Sequence, residues 1–202
     1  MSSFAARQLT EAHRLAQLRL GMTVVAQMHQ AWQVVDPQAI EASYSDWLPL
    51  VTPVTESGRA RSALLGAAYL RAHRQLETGS DDFTPVVPDG LNIKAFTVSM
   101  LVCGLYSARG NLVQGVALDR AMEIADARTA ASAMRYSLDG GRETIVESTK
   151  RDPRARGWQR VASGMACSFC SELDGEVMSE DGASFQSHDG CACTGEPLWD
   201  AA

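Results

Sequence analysis

Apolar residues recur at helical spacing through most of the chain, most clearly near its beginning. Residues 4–32 contain no proline and only one glycine. Their apolar positions form two rows, the first being Leu9, Ala12, Ala16, Leu20, Val24 and Met28, and the second Leu15, Leu18, Met22 and Val25. This spacing predicts one long helix, and its two apolar faces predict that other helices or another subunit cover it on both sides.

Proline and glycine positions predict where the next helices begin and end. Asp36-Pro37 and Thr52-Pro53 each place a side-chain acceptor at an N-cap and a proline at the first helical position. We therefore expect one helix that ends near Trp47 and a second that ends near Gly79. Residues 79–90 combine two glycines, two prolines and three aspartates, a composition typical of a loop and of an internal hinge.

Helical spacing resumes after this loop and continues for about 60 residues. It predicts a helix over 93–107, a break near Gly110-Asn111, and a second helix that ends near Leu138. Gly140-Gly141 is expected to end that helix, because glycine disfavours the helix interior. A short helix over 142–150 would then complete the all-α part.

The pattern changes after Gly157, where short apolar pieces at 157–161 and 176–178 alternate with turn residues. These pieces predict small strands. The expected fold is mainly α, and α+β overall, with a helical domain over 1–152 and a small β-rich module over 153–202. A module of about 50 residues is near the lower limit for a self-supporting core, so metal or disulfides are expected to stabilise it.

Composition describes a folded soluble protein, with 46% hydrophobic and 21% charged residues in 202. The net charge of −6 argues against a protein that binds nucleic acid over its whole surface. The charge is unevenly distributed, since six bases lie in 142–160 while 167–202 holds eight acids and no base. We interpret the basic connector, residues 142–160, as a solvated linker face or as a local contact for DNA or an acidic partner.

No secretory signal and no membrane-spanning apolar run is evident in the sequence. We therefore expect no membrane partner and a cytoplasmic protein with reduced thiols. In that compartment, clustered cysteines more often bind metal than form disulfides.

Four of the five cysteines and one histidine are concentrated near the C-terminus. The candidate ligands are Cys167, Cys170, His188, Cys191 and Cys193, and 17 residues separate the CxxC pair from His188. A CxxC pair and a second group of Cys or His residues at this distance can together surround a zinc ion tetrahedrally, with no position left open for water. The sequence thus predicts a structural zinc site with five candidates for four positions, and it leaves open whether Cys191 or Cys193 is a ligand.

Two other interpretations of the same residues remain. The thiols could stay reduced or form a facultative disulfide, or one cysteine could act as a nucleophile with His188 as its base. The acidic surroundings oppose the catalytic interpretation, because nearby negative charge raises a thiol pKa. The remaining histidines are expected to have surface or packing roles, and Cys103 is expected to be a small buried residue.

The C-terminal motifs occur in a characteristic order. A tryptophan segment at 157–161 is followed by Cys167 and Cys170, then by Asp174-Gly175, and finally by the run HDGCACTGEP at 188–197. This order resembles the C-terminal signature of the phage Mu F-like (MuF) minor head proteins, most closely the versions in tailed phages of actinobacteria. The chain departs from that signature at 163–166, where an aspartate is usual, and at Ala192, where an arginine is usual.

The resemblance implies a non-enzymatic minor capsid or head morphogenesis protein, assembled in the host cytoplasm and bound to the portal inside the capsid. Its expected partners are the portal protein, the major capsid or scaffold protein, and packaged DNA through the basic connector, with ejection alongside the DNA as a further option. One rival is a capsid maturation protease that uses Cys167 or Cys170 with His188, or a serine not identifiable from the sequence. Another is a zinc-ribbon adaptor of a bacterial cytoplasmic complex.

Overall fold

The computed structural model describes residues 2–162, 166–178 and 184–200. Within these ranges the helices are α1 (Phe4–Trp32), α2 (Ile40–Thr78), α3 (Ile93–Leu101), α4 (Ser107–Val113), α5 (Leu118–Arg151) and α6 (Ser168–Glu172), and a π-helical turn (Val102–Tyr106) joins α3 to α4. The strands are β1 (Ala155–Val161), β2 (Val177–Met178) and β3 (Thr194–Trp199). The fold is mainly α and α+β overall, as predicted.

The long first helix is confirmed over Phe4–Trp32. The side chain of Ser3 caps it by accepting a hydrogen bond from the main-chain nitrogen of Ala6 at 3.2 Å. Helix α1 packs against α2 and α5 along one buried stripe that includes Val24 and Met28. The predicted cover by helices on both sides is wrong for this chain, since Leu15 and Met22 of the second apolar row are 37% and 57% exposed. Cover of that row by another subunit stays a prediction. The largest apolar cluster includes Met28, Trp47 and Phe96, all without measurable exposure.

The predicted break between residues 47 and 52 is wrong, because α2 runs without interruption from Ile40 to Thr78 and contains Pro49 and Pro53. A proline inside a helix leaves the carbonyl four residues earlier without its amide donor. Pro49 and Pro53 are both exposed, as is Ser45, so the carbonyls that lose a donor lie on the solvent side of the helix. The helix also begins three residues after Pro37, following a turn.

The predicted helix end at Gly140-Gly141 is also wrong, since α5 continues through both glycines to Arg151. A Cβ atom at Gly140 would lie 2.3 Å from the carbonyl oxygen of Arg59 on α2. One at Gly141 would lie 2.8 Å from the carbonyl oxygen of Ser62. The glycine pair therefore permits close packing of α5 against α2.

The segment after the loop remains helical beyond the predicted break at Gly110-Asn111. The π-helical turn connects α3 and α4, and the chain leaves the helix only after Val113. Gly115 then adopts a positive φ of 82° before α5 begins. None of the helices in the described residues is both long and apolar enough to cross a bilayer.

The three strands form an antiparallel sheet in the order β2-β1-β3. The two predicted strands are confirmed. Strand β3 was not predicted, because its Gly195 and Pro197 are residues that disfavour a strand. Pro197 is tolerated because β3 lies at the edge of the described sheet, where a missing amide donor costs little. The sheet packs on α5 and α2, where Ile145 and Tyr69 join Trp158 in a second apolar cluster.

Residues 79–92 form the predicted loop, which begins at the left-handed Gly79 (φ 71°). The loop is held to the helices, since Val86 donates its main-chain N–H to Oγ of Ser148 at 2.8 Å. Arg74 on α2 also donates to the carbonyl of Ser80 at 2.8 Å. The hinge and the division into 1–152 and 153–202 stay predictions.

Candidate metal centre

Two chain segments bring the cysteines and His188 together. Cys167 is the N-cap residue of α6, and Cys170 lies within this helix. The other three residues belong to the segment 188–193 that precedes β3, which we call the ligand loop. Sγ of Cys167 and Sγ of Cys170 each lie 3.2 Å from Nε2 of His188. Sγ of Cys170 lies 3.7 Å from Sγ of Cys191.

The sulfur–sulfur separation matches that around a tetrahedral zinc ion, and the two sulfur–nitrogen separations are shorter. With usual zinc–ligand bond lengths, neighbouring tetrahedral ligands are about 3.8 Å apart for two sulfurs and about 3.6 Å apart for sulfur and nitrogen. The ligand atoms of Cys167, Cys170 and His188 all lie within 4.8 Å of one another, and so do those of Cys170, Cys191 and Cys193. The structure thus brings all five predicted residues into two overlapping groups that share Cys170, and their donor set fits zinc.

The thiols of the cluster do not have equal acidities. A hydrogen bond from Cys193 lowers the pKa of Cys191 to about 4 despite its burial, and the positive charge of Arg142 contributes. Burial raises the pKa of Cys170 to about 11, and the nearby Cys191 adds to this effect. For Cys191 the expected rise of the thiol pKa in acidic surroundings is therefore wrong, because Cys193 and Arg142 lower it. A cation between Cys170 and Cys191 would favour ionisation of both.

Arg142 of α5 is buried against the ligand loop, with only 3% of the residue exposed. Its guanidinium donates to the main-chain oxygen of Cys191 at 2.6 Å and to that of Cys193 at 3.1 Å. It also pairs with Asp139 on the same helix at 2.8 Å. The charge of Arg142 is thus directed at the backbone of two candidate ligands.

Arg160 of β1 is the second buried arginine at this site. Its Nη1 lies 3.7 Å from Sγ of Cys170, and its Nη2 donates to the carbonyl of Gln186 at 2.6 Å. Both guanidinium groups lie over the ring of Phe185. The distance from the ring centroid to the guanidinium carbon is 4.1 Å for Arg160 and 5.1 Å for Arg142. Two cations and the stacked indole of Trp158, 5.3 Å away, therefore surround this ring.

The solvated-face interpretation of the basic connector is therefore wrong for two of its six bases. Arg142 and Arg160 are buried structural residues, because the sulfur, carboxylate, carbonyls and aromatic ring around them replace most of the lost water. The bases that remain exposed are Lys150, Arg151 and Arg156.

The geometry does not single out a nucleophile and its base. A catalytic pair needs one thiol aligned with one imidazole nitrogen, whereas here two thiols are equally distant from the same nitrogen of His188. A cavity of about 230 Å³ borders the cluster, lined also by Leu18, Met22 and Met134. Among the described residues, its lining contains no carboxylate or hydroxyl group that could assist hydrolysis.

A buried polar network between α2 and the sheet was not predicted as a group. His73 of α2 faces Glu196 of β3 with 3.4 Å between Nε2 and Oε1, and Gln159 of β1 donates to Glu196 at 2.6 Å. Burial raises the pKa of Glu196, but hydrogen bonds from His73 and Gln159 outweigh it and hold this pKa below the ordinary value. The available sequence signal was Glu196, a single acid in the otherwise uncharged run 194–199.

The other single residues agree with their expected packing or surface roles. His13 is buried and stacked on Tyr69, and His29 is exposed and contacts Asp126 at 2.9 Å. Cys103 is buried, with its sulfur 3.9 Å from Oδ2 of Asp189.

The fold and the site define a class: a helical protein whose C-terminal sheet and Cys/His cluster pack on its long helices. A family model described as VG15 protein matches residues 5–202, and the chain belongs to that family. It is thus a phage-related protein, which confirms the coarser part of the expectation from sequence. Searches of curated proteins and of solved structures gave no match.

Proposed function

We propose that this chain is a MuF-like minor capsid protein of a tailed phage. It acts in head morphogenesis as a structural, non-enzymatic component bound to the portal inside the capsid. Membership of the VG15 family and the order of motifs over 157–197 support this proposal. The Cys/His cluster is the observation that carries the structural part of it.

We assign one zinc ion to Cys167, Cys170, His188 and Cys191. The contacts between their donor atoms form a continuous chain of 3.2–3.7 Å separations. Cys193 supports this set through its hydrogen bond to Cys191. When bound, zinc would cross-link α6 to the ligand loop and stabilise a sheet of three short strands.

We place the portal contact on the exposed face of α3, the π-helical turn and α4. Val98, Val102 and Tyr106 follow one another at intervals of four and are 58%, 46% and 57% exposed. Residues 91–118 contain no acidic residue, although the whole chain is acidic. An apolar surface without carboxylates suits a partner surface that is apolar and acidic.

We limit any contact with packaged DNA to the exposed part of the basic connector. The exposed bases are Lys150, Arg151 and Arg156, whereas Arg142 and Arg160 are buried at the metal centre. Arg156 lies 3.7 Å from the carboxylate of Asp200, which reduces its net positive charge. A contact of this size would add little to affinity for DNA.

Complementation of a phage that lacks this gene tests the proposal. Wild-type protein should restore infectious particles and should be detected in purified particles by mass spectrometry. The double variant Val98→Asp/Val102→Asp should fold, yet be absent from particles and fail to bind purified portal protein. Leu64→Asp, at an exposed apolar position on α2, is the matched control and should behave as wild type.

The protease rival is tested by co-expression with the major capsid protein. We expect no cleavage with wild-type protein or with His188→Ala. Cleavage by the wild type alone would overturn the non-enzymatic assignment, while absence of the wild-type protein from purified particles would overturn the capsid assignment.

A further inference from the structure

The two halves of the metal centre are attached to the protein in different ways. The ligand loop lies along α5, where the main-chain N–H of Gly190 donates to the carbonyl of Ala131 at 3.2 Å. Arg135 donates to Oδ1 of Asp189 at 2.8 Å. Arg142 adds its two hydrogen bonds to the ligand-loop carbonyls, so α5 holds this loop at three successive points.

Helix α6 has no comparable attachment to the long helices. It comprises five residues, and both Cys167 and Phe169 are exposed. Among the described residues, the side-chain hydrogen bonds from 167–172 to other parts of the chain all involve the sulfur atoms of Cys167 or Cys170. The turn that follows α6 is bonded to β1 rather than to the long helices, since Gly175 donates its main-chain N–H to the carbonyl of Arg160 at 2.9 Å. The position of α6 against the ligand loop therefore depends on the candidate ligands, while its C-terminal end is connected to β1 through the turn.

We infer that Arg142 is a positioning residue that forms the ligand-loop half of the centre on α5 before any metal binds, so that metal binding recruits α6. This inference rests on the proposed structural zinc. The planar guanidinium satisfies two buried carbonyls at once, and its fork geometry fixes their direction. Ligands held in place before binding lose less conformational freedom when the metal arrives.

The two attachments predict an ordered sequence of events. Removing zinc should release residues 167–172, whereas 188–193 should remain docked on α5. Removing the Arg142 guanidinium should release 188–193 even without metal. It should also weaken zinc binding, by about 10–100-fold if Arg142 acts as outer-shell partners of metal ligands usually do.

Hydrogen exchange on the full chain, with and without zinc, tests this order. In wild-type protein, metal removal should raise exchange in 167–172 by at least about tenfold more than in 188–193. Arg142→Met should raise exchange in 188–193 in both states and lower zinc affinity in a competition assay with a chromophoric chelator. It should also alter the thiolate-to-cobalt absorption of the Co²⁺-loaded protein.

Three further variants control this experiment. Arg151→Met, at an exposed position of the same helix, should match wild type in every measurement. Arg142→Lys should recover part of the zinc affinity. If circular dichroism shows that Arg142→Met does not fold, Arg135→Gln replaces it. This variant removes the contact with Asp189 and should raise hydrogen exchange in residues 188–193 to a smaller extent.

Equal loss of protection in both segments on metal removal would overturn the inference, as would an Arg142→Met variant with wild-type zinc affinity and exchange. A wild-type protein that binds no zinc would overturn the structural-zinc proposal instead. In that case the metal-free comparison of Arg142→Met with wild type at 188–193 still decides whether Arg142 positions the ligand loop.

Discussion

Nε1 of Trp199 donates a hydrogen bond to Nδ1 of His73 at 2.9 Å and thereby joins β3 to α2. Because Nδ1 accepts this bond, the neutral imidazole carries its proton on Nε2, which faces Glu196. The donor of Trp199 and the acceptor of Glu196 thus satisfy both nitrogens of a fully buried histidine. This network fixes the end of the sheet to the helices independently of the metal centre.

Replacing Trp199 by phenylalanine should therefore destabilise the protein through His73. The variant leaves a buried acceptor without its donor, at an expected cost of about 1–3 kcal/mol beyond the lost ring volume. Trp158→Phe, in the neighbouring strand, is the volume control, because the indole nitrogen of Trp158 has no hydrogen-bond partner among the described residues. Urea unfolding of both variants measures the difference, and equal losses would contradict the role of this bond.

Close packing of α5 on α2 predicts opposite effects for two glycine-to-alanine changes. Gly140→Ala places a Cβ against the backbone of Arg59, which cannot move aside as a side chain could, and should cost about 1–3 kcal/mol or more. Gly110→Ala on α4 meets no atom within 4 Å and should stabilise by up to about 1 kcal/mol through helix propensity. Thermal unfolding distinguishes them, and a neutral Gly140→Ala would contradict the packing.

Burial of His13 predicts a pH-dependent loss of stability. Its ring stacks on Tyr69 with centroids 4.2 Å apart, and burial lowers the pKa of His13 from 6.5 to about 3. Between these values the unfolded chain binds a proton that the folded chain excludes, so this contribution to stability falls as pH falls below 6.5. His13→Phe keeps a stacked ring and removes the titration.

Relative to wild type, His13→Phe should gain about 2 kcal/mol in free energy of unfolding between pH 7.5 and pH 5. Urea unfolding at both pH values measures this gain, and comparison with wild type removes contributions that the two proteins share. A constant difference between His13→Phe and wild type at all pH values would refute this explanation.

The sequence was sufficient where local signals and tertiary packing agree. The apolar rows and the absence of proline in 4–32 predicted α1. The spacing of the five candidate ligands, Cys167, Cys170, His188, Cys191 and Cys193, predicted that they meet. Metal-ligand spacing is informative because the required geometry restricts the chain on both sides of each ligand.

The sequence was misleading where packing overrides a local preference. Pro49 and Pro53 disfavour a helix, yet solvent on one face and core packing on the other maintain α2. Gly140-Gly141 resembles a helix end, although only the neighbouring Arg59 explains the need for glycine there. The burial of Arg142 could not be predicted either, because its partners are main-chain carbonyls 49 and 51 residues away.

Metal analysis of the full chain, purified without chelator, tests the central claim most directly. We predict about one zinc ion per chain for wild type and for Cys103→Ser, and loss of zinc from Cys170→Ser, because Cys170 belongs to both ligand groups. Wild-type protein without zinc, with all thiols reduced and the fold intact, would contradict the assignment of a structural metal centre.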